Sequence, residues 1–156
     1  MKYHILTKEQ FENLHHEFAV FLASQQIDSK EWIKIKAEKP AVALEEMQLF
    51  SEVVWEDVLT KVCYLEHCSE QHINLFKCEA DKIDRIYIKI QFSEIDLTTI
   101  NGLDWLMNHL KNERVEVFIG SKSYNLERNQ ELFKLIEQGS VIADGKLYNA
   151  INQLIV

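Results

Sequence analysis

The sequence predicts an α+β protein: an N-terminal layer of three helices packed with a small mixed sheet of three to four strands and C-terminal βα units. Three observations carry this expectation. Apolar residues recur at steps of three and four through the first 62 residues. The period then switches to two, with Ile86, Ile88, Ile90 and Phe92 alternating with Tyr87, Lys89 and Gln91. Beyond that point strand-like and helix-like runs interleave to the C-terminus.

The first helix is expected over 8–25. Thr7-Lys8-Glu9-Gln10 fits a capping box, in which Thr7 caps the helix and Gln10 reaches back to it. Phe11, Leu14, Phe18, Phe21 and Leu22 then form an aromatic core face. Asp28-Ser29-Lys30-Glu31 resembles a second capping box and opens a short helix bearing Trp32, Ile33 and Ile35. That helix stops before Pro40, because the residue preceding a proline avoids the α region. Pro40 itself suits the first turn of a third helix. Val42, Leu44, Met47, Phe50, Val54, Val58, Leu59 and Val62 continue that helix at helical spacing.

Ile73–Cys78 reads as a strand, Glu79–Asp84 as a polar turn, and Ile86–Phe92 as a half-buried strand, so the two strands are expected to pair as a hairpin. Asp96, Thr98 and Thr99 offer caps for a helix holding Leu103, Leu106, Met107 and Leu110. Val115–Ile119 is a strand, and Gly120-Ser121-Lys122-Ser123 is read as a loop. A helix follows over 125–138, with Gly139 as its C′ residue. Val141–Ala143 suits a short strand, and Asp144 would cap a last helix carrying Leu147, Tyr148, Ile151 and Leu154. The unit from Ile86 to Ile119 is expected to be a right-handed parallel crossover. With no repeat or linker in view, one domain over 1–156 is expected, its helical layer over 7–62 and its α/β part over 63–156.

The chain has 156 residues and a formal net charge of −8. Proteins that bind nucleic acid generally neutralise phosphates with Lys and Arg. Here the densest basic stretch, Lys30–Lys36, is interleaved with apolar side chains, so no nucleic acid is expected as a partner. No apolar run approaches the roughly 20 residues of a bilayer-spanning helix, so no membrane is expected either. Glu9 and Glu12 follow Met1-Lys2-Tyr3-His4 with no apolar stretch of signal-peptide type. With three cysteines, an odd number, these features point to reduced thiols in the cytoplasm.

The segments LTKEQFENLHHEFAVFLASQQI, EWIKIKAEKPAVALEEMQLFSEVVWEDVL and SKSYNLERNQELFKLIEQG together resemble a small uncharacterised family, a domain of unknown function found in Bacteroidota bacteria. The resemblance covers nearly the whole chain. It implies a bacterial source, and it implies no activity, cofactor or catalytic residue.

Several residue constellations invite chemistry. In the first, a strand ends at Ile119 and a helix begins near Asn125, and helix N-termini attract phosphates. Gly120 would allow close backbone approach, Ser121 and Ser123 would donate hydrogen bonds, and Lys122 and Arg128 would neutralise charge. This is neither a Walker A loop nor a dinucleotide fingerprint, and an ordinary polar connection reads as well. Cys63, His67, Cys68, His72 and Cys78 would supply metal ligands, but they contain no CxxC pair, and the alternative is small buried thiols beside surface histidines. No metal and no cofactor is therefore expected.

Glu12-x-x-His15 with Glu45, Glu52 and Glu56 falls short of the two such motifs a di-iron bundle needs. A cysteine nucleophile would need a lowered pKa, and no local signature surrounds any of the three. Trp55 lies one residue off the apolar stripe of the third helix and would anchor a protein partner, although Trp32, Trp55 and Trp105 would also serve as core.

The favoured expectation is a non-enzymatic cytoplasmic domain acting through protein–protein contact, with a homodimer as one form. The rival is a small-anion or nucleotide-binding domain using the loop after strand 115–119. A pocket beside Gly120 lined by Lys122 and Arg128 would favour the rival. An exposed apolar patch near Trp55 would favour the interaction reading.

Overall fold

A computed structural model describes residues 2–156. The architecture is α+β, and the chain forms two compact units, Met1–Thr60 and Lys61–Val156.

The N-terminal unit holds α1 (Lys8–Asn13), α2 (His15–Ser24), α3 (Ser29–Glu38) and most of α4 (Pro40–Lys61). The capping box forms as expected: Thr7 Oγ1 accepts from the Gln10 amide at 3.2 Å, and Gln10 Oε1 accepts from the Thr7 amide at 2.8 Å. The expected helix over 8–25 bends at Leu14 into α1 and α2. Backbone bonds still run through the bend, Leu14 N–H to Gln10 O and Phe18 N–H to Leu14 O. At the bend, His15 Nδ1 lies 3.0 Å from the Glu12 carbonyl, so a side chain competes within the helical ladder.

Helix α2 closes in a Schellman motif. The Ile27 amide donates to Leu22 O and the Gln26 amide to Ala23 O, with Gln26 left-handed at φ 63°. Asp28 then caps α3 by accepting from the Glu31 amide at 2.8 Å. The aromatic face assembles as predicted: Phe50 of α4 packs 5.0 Å from Phe18 and 5.4 Å from Phe21, and Trp32 meets Phe18 edge-on at 5.3 Å.

The C-terminal unit is built on β1 (Tyr64–Cys68), β2 (His72–Cys78), β3 (Lys82–Ile90), β4 (Val115–Ser123) and β5 (Val141–Ala143). These form one sheet in the order β4-β3-β2-β1-β5, with every neighbouring pair antiparallel. The expected hairpin is β2–β3. Two expectations need correction: the sheet has five strands rather than three to four, and it is not mixed. The stretch from Ile86 to Ile119 is no parallel crossover. Val115 is the register partner of Ile90, and the Gln91 amide donates to Arg114 O at 3.2 Å. The chain between them, including α5 (Ile100–Asn108), therefore leaves and re-enters the sheet at the same end.

Strand β1 has no counterpart among the expected elements, and its pairing with both β2 and β5 makes it an inner strand. Helices α6 (Arg128–Glu137) and α7 (Lys146–Ile155) complete the unit. Helix α6 ends as expected on left-handed Gly139, with Ser140 N–H bonded to Leu135 O. Helix α7 is capped by Gly145 instead of Asp144, whose Oδ1 accepts from the Lys146 amide at 2.9 Å.

Alternation sorts the strands into two faces. One face presents Ile73, Leu75, Ile86, Ile88, Ile90 and Val115, which form a continuous core with Leu106 of α5 and Tyr148 and Ile151 of α7. On the other face, Leu65, Phe76, Cys78 and Ile83 are buried, while Arg85 and Phe118 stay exposed.

Candidate functional site

The second face of the sheet carries cross-strand rows fixed by register. Leu65, Phe76, Arg85 and Gly120 form one row; His67, Asn74, Tyr87 and Phe118 form the next. Ile83 stands opposite Lys122 in a third. Where α6 lies beside these rows, they line a half-open cavity of about 770 Å³. The sheet contributes His67, Asn74, Phe76, Arg85 and the Gly120–Lys122 stretch, and α6 with its C-cap contributes Glu131, Lys134, Leu135 and Gln138.

The predicted anion loop is therefore reorganised. Gly120 to Ser123 are not a loop: they continue β4, paired with Arg85 to Lys82 of β3. Helix α6 begins later, at Arg128 behind an N-cap at Glu127. The carboxylate near its start belongs to the chain itself. Glu131 accepts from Lys122 Nζ at 3.2 Å and from the Asn125 amide at 2.9 Å.

Arg128 leaves the candidate set altogether. Its guanidinium donates to Glu79 O at 3.0 Å, to Cys78 O at 3.2 Å, and to Val62 O. It pins the start of α6 to the β2–β3 turn, where Tyr124 Oη also donates to Glu79 O at 2.7 Å. Burial pushes the Tyr124 hydroxyl up to about 12. Of the five residues expected to bind an anion, Gly120, Ser121 and Lys122 line the cavity, while Ser123 and Arg128 do not.

Arg85, Asn74, His67 and Lys134 line the cavity beside them, and none of the four stands out in the sequence. Arg85 Nε donates to Asn74 Oδ1 at 3.1 Å. Its guanidinium carbon lies 5.0 Å from the Tyr87 ring centre and 5.8 Å from that of Phe76. Tyr87 in turn stacks on Phe118 at 5.8 Å and 30°, and on His72 at 5.8 Å and 20°. His72 Nδ1 and Tyr87 Oη are 2.6 Å apart. An aromatic array thus flanks the cavity along one edge. The signal that would have found it is register: only the antiparallel β3–β4 pairing brings Arg85 beside Gly120 and Tyr87 beside Phe118.

Alternation separates some of the candidate cysteine and metal ligands. Cys68 shares the face of Ile73, whereas His67 and His72 share that of Asn74. Among the described residues no group of three or more His, Cys, Asp or Glu is placed to hold a metal ion. Burial raises the Cys68 thiol above its usual range, with Glu66 adding to it. Burial also pushes the Cys78 thiol up to about 12, against the lowering effect of Arg128. Neither is primed as a nucleophile.

In the N-terminal unit the carboxylates have structural work. Glu52 accepts from the Lys2 amide at 2.7 Å, and Glu56 accepts from Tyr3 Oη. Trp55 is half-buried there, edge-on to His4 at 5.2 Å and tilted against Tyr3 at 6.4 Å.

Comparison with known proteins agrees with the resemblance in the sequence at the level of the family. The match to the Family of unknown function (DUF6495) spans residues 1–156. The chain belongs to that family. No curated protein and no solved structure matches it. No helix among the described residues of this DUF6495 protein is long and apolar enough to cross a membrane.

Proposed function

We propose that the C-terminal unit binds a small organic anion of nucleotide size in the cavity between the sheet and α6. One observation carries this reading. In a chain with a net charge of −8, the cavity wall gathers Arg85, Lys122 and Lys134 against the single carboxylate of Glu131. Low-dielectric walls concentrate the field of such a cluster on whatever enters. The volume falls within the roughly 300–1,000 Å³ of small-ligand pockets. Phe76 and the Arg85 plane supply surfaces for a ring, and Asn74 and Gln138 supply hydrogen bonds. In this reading the domain binds rather than catalyses, and it works in a bacterial cytoplasm, where Cys63, Cys68 and Cys78 stay unpaired. A nucleic-acid polymer is not the expected ligand, because the acidic remainder of the chain would repel its further phosphates.

Calorimetric titration of the full chain with AMP, ATP and inorganic phosphate tests the proposal. The nucleotides are expected to bind, and Arg85→Ala and Lys134→Ala each to weaken them by at least about tenfold. Raising the salt concentration should weaken them further. No binding at millimolar nucleotide would overturn it.

Protein–protein contact, the expectation favoured from sequence, remains a second reading, and a different observation supports it. Trp55 already packs against the chain's own Tyr3 and His4. Exposed apolar side chains occur on its own helix, Leu49 and Val53 among them, and on the outer strand β4, where Phe118 and Ile119 emerge on opposite faces.

A further inference from the structure

Strand β4 is an edge of the sheet, nine residues long, and it contains no proline. Proteins usually blunt such an edge by shortening it, covering it, bulging it or charging it, since its unpaired amides and carbonyls template further strands; β4 carries only Glu116 and Lys122, which are of opposite sign. The opposite edge, β5, is kept to three residues. β4 instead pairs with β3 over its whole length, and most of it is solvent-exposed. Phe118 is 54% exposed and Ile119 63%.

Gly120 adds a second anomaly. Glycine within a strand weakens it and usually marks a close approach. Yet a Cβ built at Gly120 would meet nothing within 4 Å, and its φ is not left-handed. Nothing within the chain calls for glycine there.

Both anomalies have one resolution. We propose that β4 pairs antiparallel with β4 of a second copy of this chain, about a two-fold axis at Ile119, giving a ten-stranded sheet across the dimer. A two-fold perpendicular to the sheet keeps each face on its own side, so facing residues share parity. Centred on Ile119, that register sets Glu116 opposite Lys122 of the second copy, and Lys122 opposite its Glu116. It sets Phe118 over Gly120 of the second copy, in the arrangement by which an aromatic ring covers a strand glycine. Ile119 meets Ile119 on the other face, with Val117 beside Ser121.

Shifting the centre by one or two residues destroys this complementarity. Centred on Val117, Glu116 faces Phe118; centred on Ser121, Lys122 faces Gly120. Centred on Phe118 or Gly120, Glu116 faces Gly120 or Tyr124 and no opposite charges meet. Lys122 already bonds Glu131, but its side chain remains 58% exposed and has room for a second carboxylate. Gly120 and Lys122 also border the cavity, so Phe118 of the second copy would extend the cavity rim. Formation of the dimer needs no ligand in that cavity.

Sedimentation velocity of the full chain over a concentration series tests it. The wild type should dimerise reversibly. Glu116→Lys sets two lysines opposite each other and Lys122→Glu sets two carboxylates, so each should weaken the dimer by at least about tenfold. The double variant E116K/K122E restores opposite charges and should recover most of that loss. A wild type that stays monomeric throughout would overturn the proposal, as would a dimer that neither single reversal weakens. Circular dichroism establishes that each variant is folded. If either single variant is unfolded, Ile119→Cys decides the matter under a mild oxidant. Rapid disulfide-linked dimer beyond the wild-type level supports the register, and its absence contradicts it.

Discussion

Arg128 shows how a side chain of the right chemistry can serve a different purpose. From sequence it is a cation beside a glycine-containing turn. In the fold its guanidinium holds three main-chain carbonyls, those of Val62, Cys78 and Glu79. Removing it takes a donor from each of three partly buried carbonyls, of which Glu79 O keeps the Tyr124 hydroxyl. Arg128→Ala is expected to lose about 2–4 kcal/mol of stability in urea denaturation. The folded variant should keep its nucleotide affinity within about twofold, a difference under 1 kcal/mol. A stable variant with abolished binding would instead return Arg128 to the ligand site. Lys122 and Gly120 were legible as cavity residues from their composition alone. Arg85 and Lys134 were not, because one sits inside an alternating strand and the other on an amphipathic helix. Nothing local distinguishes either from an ordinary surface charge.

At the scale of elements, capping chemistry was the most readable signal. Thr7 with Gln10, Asp28 with Glu31, and Gly139 after α6 all act as their residue types require. The hydrophobic period placed α3, α4, β2 and β3 for the same reason: local packing and local pattern agree there. Strand pairing was less readable. Gly-Ser-Lys-Ser suggests a loop, but pairing with Lys82–Arg85 draws it into β4, as sheet context overrides intrinsic preference. A helix between two strands suggested a crossover, but the chain before α5 folds back so closely that both strands end up neighbours and antiparallel.

Gly102 marks how tight that fold-back is. A Cβ there would lie 1.8 Å from the Asp96 carbonyl oxygen. Backbone would have to move, so Gly102→Ala is expected to destabilise the protein by at least about 2 kcal/mol, read from its urea midpoint. An unchanged midpoint would mean that this turn adapts freely.

For the whole molecule, a net charge of −8 describes a sum and conceals a distribution. The acidic excess argued against a nucleic-acid scaffold, while the fold collects three cations around one cavity of the C-terminal unit, two from the sheet and one from α6. The N-terminal unit answers to different forces. Its interior is a cluster of Phe11, Phe18, Phe21, Trp32 and Phe50, and its nearby carboxylates Glu52 and Glu56 bind the chain's own first residues. The proposed ligand site therefore belongs to the second unit.

Amide chemical-shift mapping of the full chain during titration with ATP tests that assignment most directly. Saturable shifts are expected to centre on Gly120, Ser121 and Lys122 across the cavity from Lys134, Leu135 and Gln138, with those of Phe18, Phe50 and Trp55 unmoved. Shifts absent from the cavity residues, or confined to the N-terminal unit, would contradict it.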